Sequence, residues 1–362
     1  MKIGILGGGQ LARMLALGGV PLGARFVVLD PAQDACAAPV SEHIAGRYDD
    51  LSVLERFASK VDVITYEFEN VPAKSVKYLA EKKPVYPSPM ALEVSCDRFN
   101  EKTLFKDLGI DTPNFSAVGS LDELKQAAAK IGLPSVLKTR TLGYDGKGQA
   151  VLRCENDIEA AWTNLGGVNC ILEAFVSFTR EISVIAVRSR AGEIIFYPVS
   201  ENTHKSGILH KAVCSINDPM QKAAEEYSRK LLEKLDYVGI LALELFEAGG
   251  KLLANEIAPR VHNTGHWTIE GANTSQFENH IRAVAGLPLG DTSPVEFSAM
   301  VNFIGEMPNA SSVLSIKGAH FHDYGKEAKP GRKLGHATVR CSDKESMFEG
   351  FDKVLALVPT SS

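Results

Sequence analysis

Two glutamates flank the Gly249-Gly250 pair: Glu244 in Ala242-Leu243-Glu244-Leu245-Phe246 and Glu256 in Leu252-Leu253-Ala254-Asn255-Glu256. A hairpin closed by the three-residue loop Gly249-Gly250-Lys251 sets them directly opposite one another. Their β-carbons are then about 5 Å apart on one face. Two like charges that close among leucines are unfavourable unless a cation joins them. Oxygen ligands of this number suit magnesium, which usually arrives with phosphates and needs only one or two carboxylates. The rival reading is two exposed glutamates on the solvent face of an amphipathic hairpin, and the hairpin alone leaves both open.

Other groups could share that chemistry. Gly143-Tyr144-Asp145-Gly146-Lys147-Gly148 is a glycine-rich loop whose amides could cover phosphates, with Lys138 on the strand before it. An ordinary Asp-Gly turn would explain Asp145-Gly146 but not the flanking glycines. Arg260-Val261-His262-Asn263-Thr264-Gly265-His266 puts cationic and amide side chains just after Glu256, where a small anion could lie beside a metal. His262 and His266 lack the glutamate of a zinc-protease helix, and Gly265 disfavours a helix there. His320-Phe321-His322 reads as a structural or surface pair. Between Lys317 and Arg340, six Lys or Arg stand against two Asp or Glu, and Gly331-Arg332-Lys333-Leu334-Gly335-His336 could hold a sugar phosphate. Near the N-terminus, Gly7-Gly8-Gly9-Gln10-Leu11-Ala12 fits the G-x-G-x-x-A dinucleotide fingerprint, with Asp30 where an acid could hold a ribose. Its physical content is narrower: an anion approached by backbone at a helix N-terminus, whether a dinucleotide or another phosphate.

The elements that must position these residues follow from periodicity. Lys2–Leu6, Phe26–Asp30, Val61–Tyr66 and Val85–Tyr86 are short apolar strands separated by helical patterns, as in a parallel doubly wound sheet. Helices are expected at Arg98–Leu108 and Leu121–Ile131, with Gly109–Ser120 a linker between them. Ser135–Thr139, Gln149–Arg153 and Cys170–Glu173 are strands of a small α+β module, with a helix capped by Asn156 or Asp157. Glu181–Val187, Ile194–Val199, Ile208–Cys214 and the hairpin Ile240–Phe246 with Leu252–Ala258 form a larger antiparallel body. A long helix there runs from a cap at Asp218 through Pro219 to Leu235, and Ser275–Ala285 is helical. A last helix spans Lys344–Leu357. The expected units are residues 1–95, 96–178, 179–300 and 301–362.

Composition narrows the function class. The 362 residues carry 39 basic and 44 acidic side chains, a poor balance for a general nucleic-acid binder. No stretch is long and apolar enough for a transmembrane helix, and the first residues do not read as a signal peptide. The six cysteines are scattered singly, which favours a reduced, cytoplasmic setting.

A glycine-rich lid, a lysine before it and Glu…Asn-Glu on a late hairpin resemble the ATP-grasp superfamily. Together with Gly9-Gln10-Leu11, Tyr66-Glu67-Phe68-Glu69-Asn70-Val71 and Gly331–His336, they resemble its branch that carboxylates 5-aminoimidazole ribonucleotide in purine biosynthesis. The resemblance covers nearly the whole chain. It implies an α/β and α+β ATP-grasp fold: a Rossmann-like N-terminal domain that binds no NAD, a lid, a central antiparallel domain and a small C-terminal unit. It implies ATP, magnesium and bicarbonate, with carboxyphosphate as intermediate, and a homodimer. Arg98, Lys138 and the loop Gly143, Tyr144, Asp145, Gly146, Lys147, Gly148 and Gln149 would meet ATP phosphates. Glu173, Ala174, Phe175 and Val176 would hold adenine through backbone groups, Glu181 the ribose, and His204 would lie nearby. Glu244 and Glu256 would bind magnesium beside Asn255. Arg260, His262 and Asn263 would border the carboxyphosphate. Gln10, Leu11, Glu67, Arg332 and Lys333 would frame the aminoimidazole substrate, with Asp145 near its amine. The formate-dependent glycinamide ribonucleotide transformylases share the architecture. Typically, glutamate replaces Gln10 there and serines replace Tyr144-Asp145, so the carboxylating branch is favoured.

Overall fold

The computed structural model describes residues 1–143 and 146–359. Its first sheet is parallel, ordered β3-β2-β1-β4, from β1 (Lys2–Leu6), β2 (Arg25–Asp30), β3 (Glu42–Ala45) and β4 (Val63–Tyr66). Helices α1 (Gln10–Gly19), α2 (Leu51–Ser59) and α3 (Ala73–Ala80) pack around it, and α4 (Pro89–Ser95) leads out. The expected strand at Val85–Tyr86 reduces to one bridge, Ile64 to Val85. β3 was missed because Glu-His-Ile-Ala has little apolar content for an edge position.

Helix α5 (Arg98–Asp107) joins this domain to the lid, a four-stranded sheet ordered β5-β8-β6-β7. Its strands are β5 (Phe115–Val118), β6 (Ser135–Thr139), β7 (Gln149–Leu152) and β8 (Cys170–Ala174), covered by α6 (Leu121–Ile131) and α7 (Asp157–Asn164). The stretch expected to be a linker therefore contains β5, which pairs with β8. Neither expected cap serves α7. Asn156 makes no capping bond, and Asp157 accepts from the Arg153 and Cys154 amides at 2.7 and 3.1 Å.

The third sheet has nine strands. Eight run β14-β13-β9-β11-β12-β15-β17-β16, and β10 pairs separately with β9. They are β9 (Arg180–Arg188), β10 (Ile194–Phe196), β11 (Ser200–Lys205), β12 (Ile208–Cys214), β13 (Gly239–Ala248), β14 (Lys251–Ala258), β15 (Phe297–Ile304), β16 (Ala319–Asp323) and β17 (Lys333–Cys341). Helices α8 (Gln221–Lys234), α9 (Thr268–Gly271), α10 (Gln276–Ala285), α11 (Ala310–Leu314) and α12 (Lys344–Leu357) complete the chain. α8 begins at Gln221, not Asp218, whose carboxylate instead accepts from the Met220 amide and binds Arg180 through both oxygens. The expected strand from Ile194 stops at Phe196, and the polar β11 was missed. β15 runs across the boundary expected at residue 300, so the C-terminal strands extend the central sheet rather than form a separate layer.

One core joins the first and third sheets: Ile3, Leu15 and Phe26 are buried with Ile240, Trp267, Phe277 and Ile281. The lid has its own core around Leu124, Leu137, Ile158 and Leu172.

Candidate active site

The hairpin delivers the glutamate pair by a route other than the expected one. β13 and β14 meet across a two-residue turn, with Ala248 opposite Lys251. A register shift between Glu244 and Leu245 then adds one residue to β14. Leu245 faces Ala254, Glu244 faces Glu256, and Asn255 is the extra residue of a bulge. Glu244 is largely withdrawn from solvent, and Glu256, 39% exposed, is held by an arginine. The Glu244 side chain is 14% exposed, and Arg98 Nη1 donates to Glu256 Oε2 at 2.8 Å.

Burial, then the charge of Glu256, pushes the Glu244 carboxyl up to about 7. Burial also acts on Glu256, but Arg98 outweighs it and holds that carboxyl low. The Asn255 Oδ1 atom is buried and has no hydrogen-bond partner. Among the described residues no three or more His, Cys, Asp or Glu gather into a metal cluster. Two carboxylates and one spare amide oxygen do not close a shell by themselves. That donor set fits magnesium, which keeps waters and phosphate oxygens as its remaining ligands.

His262 faces Glu244, Nε2 to Oε1 at 3.3 Å. Burial, then Arg260 and Lys333, keeps its imidazole neutral. The Thr264 amide donates to Nδ1 at 3.4 Å, which leaves the ring proton on Nε2, toward Glu244. Arg260 is gripped by Glu69, Nε to Oε2 at 2.5 Å. Asn263 and Asn302 exchange amide hydrogen bonds at 3.0 and 2.6 Å. Glu181 and His204 meet at 2.7 Å.

On the lid side, Lys138 donates to Glu173 at 3.1 Å. The Glu173 carboxylate is buried, with Oε2 held by Lys138 and Lys102 and Oε1 unpartnered. The Ala174 and Phe175 amides donate to the Asn114 and Pro134 carbonyls, so these two N–H groups of the expected adenine strap are engaged within the lid. Val176 is half-buried. Arg98 Nη2 also reaches the Gly143 carbonyl at 3.3 Å. Gly146 and Gly148 have left-handed φ of 75° and 71°, and a β-carbon on Gly148 would lie 2.6 Å from Thr139 Oγ1. Lys147 is exposed between them, and Gln149 opens β7. Tyr144 and Asp145 lie outside the described residues.

The dinucleotide fingerprint is satisfied from within. Glu67 occupies the anion position, accepting from the Gly9 amide at 2.5 Å and the Ala12 amide at 2.9 Å. Asp30, placed to hold a ribose, accepts from the Gly8 amide at 2.7 Å. A β-carbon on Gly9 would lie 2.6 Å from Glu67 Oε1, so the glycine serves this internal contact. The Leu11 side chain is buried in the shared core and has only its main chain to offer a ligand. Gln10 is bound by Lys326.

The basic C-terminal stretch closes the site. Arg332 donates to the Glu327 carbonyl at 3.2 Å. The charge of Lys333 acts on Glu244, His204 and His262. Lys326 and Arg332 act on Cys36, beside the glycine turn. Residues remote in sequence thus meet where the first and third sheets come together: Arg260 on Glu69, Lys326 on Gln10, and the charge of Lys333 on Glu244. Sequence reasoning missed Lys326 as the partner of Gln10, although its basic stretch was marked. It also missed Glu101 and Lys102, signalled only by a charged stripe with Arg98 along one face of α5.

Three family descriptions match the chain: the ribonucleotide synthetase preATP-grasp domain over residues 1–96, the ATP-grasp domain over 103–277 and the phosphoribosylaminoimidazole carboxylase C-terminal domain over 298–349. The N5-carboxyaminoimidazole ribonucleotide synthase of Pseudomonas aeruginosa is 57% identical over 358 residues, covering 99% of each chain. A Thermus thermophilus N5-carboxyaminoimidazole ribonucleotide synthetase structure superposes with a TM-score of 0.95 at 51% identity, covering 99% of each chain. An Aspergillus clavatus N5-carboxyaminoimidazole synthase in complex with ADP and 5-aminoimidazole ribonucleotide superposes at 0.91 with 30% identity, covering 99% of this chain and 98% of that one.

Proposed function

Because the chain belongs to the N5-carboxyaminoimidazole ribonucleotide synthase family of ATP-grasp ligases, we propose how its site performs that reaction. The chain is an ATP-dependent carbon–nitrogen ligase of purine biosynthesis that converts 5-aminoimidazole ribonucleotide to its N5-carboxy derivative. The transformylase alternative is not favoured, since the relatives named above are carboxylating enzymes.

In our reading bicarbonate supplies the carboxyl group. One of its oxygens attacks the γ-phosphorus of ATP and ADP leaves; the C–O bond of the resulting carboxyphosphate then breaks, inorganic phosphate departs, and the substrate amine takes up the carbon, directly or as released CO2, and gives up a proton. Such a transfer needs positioning and charge neutralisation more than covalent help. Glu244, Glu256 and Asn255 Oδ1 would hold magnesium, whose charge offsets that of the migrating phosphoryl group. Arg98, Lys138 and the 143–149 loop serve the phosphates, 173–176 the adenine, Glu181 the ribose, with His204 beside it. Arg260, His262 and Asn263 border the carboxyphosphate. Glu69 fixes the Arg260 guanidinium, and neutral His262 can donate from Nε2 without adding charge. Gln10, the main chain at Leu11, Glu67, Arg332 and Lys333 frame the ribonucleotide, with Asp145 at its amine.

The observation that carries this reading is the facing Glu244–Glu256 pair, Glu244 largely buried and Glu256 partly exposed, with an unpartnered amide oxygen at its side and Lys333 within electrostatic reach. Among the described residues no helix is long and apolar enough to cross a membrane. We place the protein in the cytoplasm as a homodimer, in keeping with its free cysteines and its family. The test is phosphate release from ATP with bicarbonate, with and without 5-aminoimidazole ribonucleotide, against formate with glycinamide ribonucleotide. Turnover that requires formate rather than bicarbonate overturns the assignment.

A further inference from the structure

Strand β14 is an edge of the nine-stranded sheet, so its outer backbone groups have no strand to pair with. Around the bulge those groups are nevertheless satisfied, by α5 and the segment that follows it. The Ala254 carbonyl accepts from Lys102 Nζ at 3.0 Å and from Thr112 Oγ1 at 2.8 Å. The Ala254 amide donates to the Asp111 carbonyl at 2.7 Å. The Ile257 amide donates to Glu101 Oε1 at 2.7 Å. The residues between these anchors are Asn255 and Glu256.

We propose that Glu101 and Lys102 are positioning residues for the metal-binding pair, clamping β14 at Ala254 and Ile257 and so fixing where Asn255 and Glu256 point. The inference rests on the metal reading given above. Glu101 and Lys102 are 2% and 1% exposed, and neither belongs to the set assigned to ATP, magnesium or the ribonucleotide. Burying two ionisable side chains costs more than burying an apolar pair of similar volume. What an apolar pair could not supply is an acceptor for the Ile257 amide and a donor for the Ala254 carbonyl. A bulge is where that supply is needed, because its extra residue interrupts the ladder that would otherwise hold the strand. Lys102 also reaches Glu173 of the lid at 3.3 Å, so one helix face sets the hairpin and the lid strand together.

The test uses the full chain, with manganese and ADP as probe. Calorimetric titration should show Glu101→Leu weakening manganese–ADP binding about tenfold while 5-aminoimidazole ribonucleotide binding stays within about twofold. Hydrogen exchange at the Ile257 amide of the ligand-free protein should quicken. Glu101→Gln keeps a side-chain oxygen for that amide and should restore affinity to within about threefold of wild type. Unchanged manganese–ADP affinity in folded Glu101→Leu, equal loss of both ligands, or no rescue by Glu101→Gln overturns the proposal. Should Glu101→Leu fail to fold, Thr112→Val removes one donor to the Ala254 carbonyl and one acceptor for Lys102, and leaves the Lys102 contact with that carbonyl in place. It should weaken manganese–ADP about threefold, and wild-type affinity there counts against the clamp. Glu256→Gln in the same titration separates the two readings. If it binds manganese–ADP like wild type, the metal assignment fails; if it loses binding and Glu101→Leu does not, only the clamp fails.

Discussion

Glu244 and Glu256 face each other in the hairpin, yet their surroundings differ, and substitution should separate them. Arg98, 18% exposed, is the neutralising partner of Glu256 alone. Glu256→Gln keeps the volume, removes the charge and leaves Arg98 without its partner. Metal-free stability should fall by roughly 1–2 kcal/mol, since the pair is only partly buried. Glu244 has no arginine and lies against Glu256 and a neutral histidine. Glu244→Gln relieves a like-charge contact, so its metal-free melting temperature should equal or exceed that of wild type. Both substitutions should depress phosphoryl transfer about a hundredfold, about 2.7 kcal/mol of barrier. Melting curves without metal, alongside ATP turnover over a magnesium titration, check both statements. Equal stability changes in the two variants would show that Arg98 does not distinguish them.

At the scale of elements, the lid meets α5 through a buried charge cluster. Burial alone would raise the Glu173 carboxyl, but Lys102 and then Lys138 outweigh it and bring it from 4.5 to about 2. The folded value lies below the unfolded one. The cluster's contribution is therefore complete above about pH 4.5 and is lost as pH falls toward about 2. A shift of that size corresponds to about 3 kcal/mol. Glu173→Gln should be less stable than wild type by about that order at neutral pH, and the difference should narrow by about pH 3. Urea midpoints at the two pH values measure it, and a gap that does not change with pH would separate Glu173 from the acid sensitivity of the fold.

At the scale of the whole molecule, the division of cores predicts the order of unfolding. The first and third sheets share one core, so the N-terminal domain and the central body should unfold together. The lid, with a core of its own, should open in a separate step at lower denaturant. Hydrogen exchange at increasing urea should show the amides of β6 and β8 exchanging before those of β1 and β13, and a single cooperative front across all four would refute it. Most elements were legible in the sequence from local signals alone: apolar runs, helical periodicity such as that of α10, and glycines at turns. Its motifs also picked out the glutamate pair, the lid lysine and the C-terminal basic loop. It missed β5 and β3, which sit at sheet edges, and the polar β11, which is paired on both sides, and it misplaced the start of α8, where Arg180 holds Asp218; in each, tertiary pairing overrides local propensity. The opposition of Glu244 and Glu256 through a bulge, rather than through a three-residue loop, emerged from the packed sheet. Only the tertiary structure decided that Glu67 fills the anion position of the glycine turn, and that Lys333 comes within electrostatic reach of Glu244. Register, burial and the meeting of distant charges depend on where whole sheets pack, and no local window of residues contains that information.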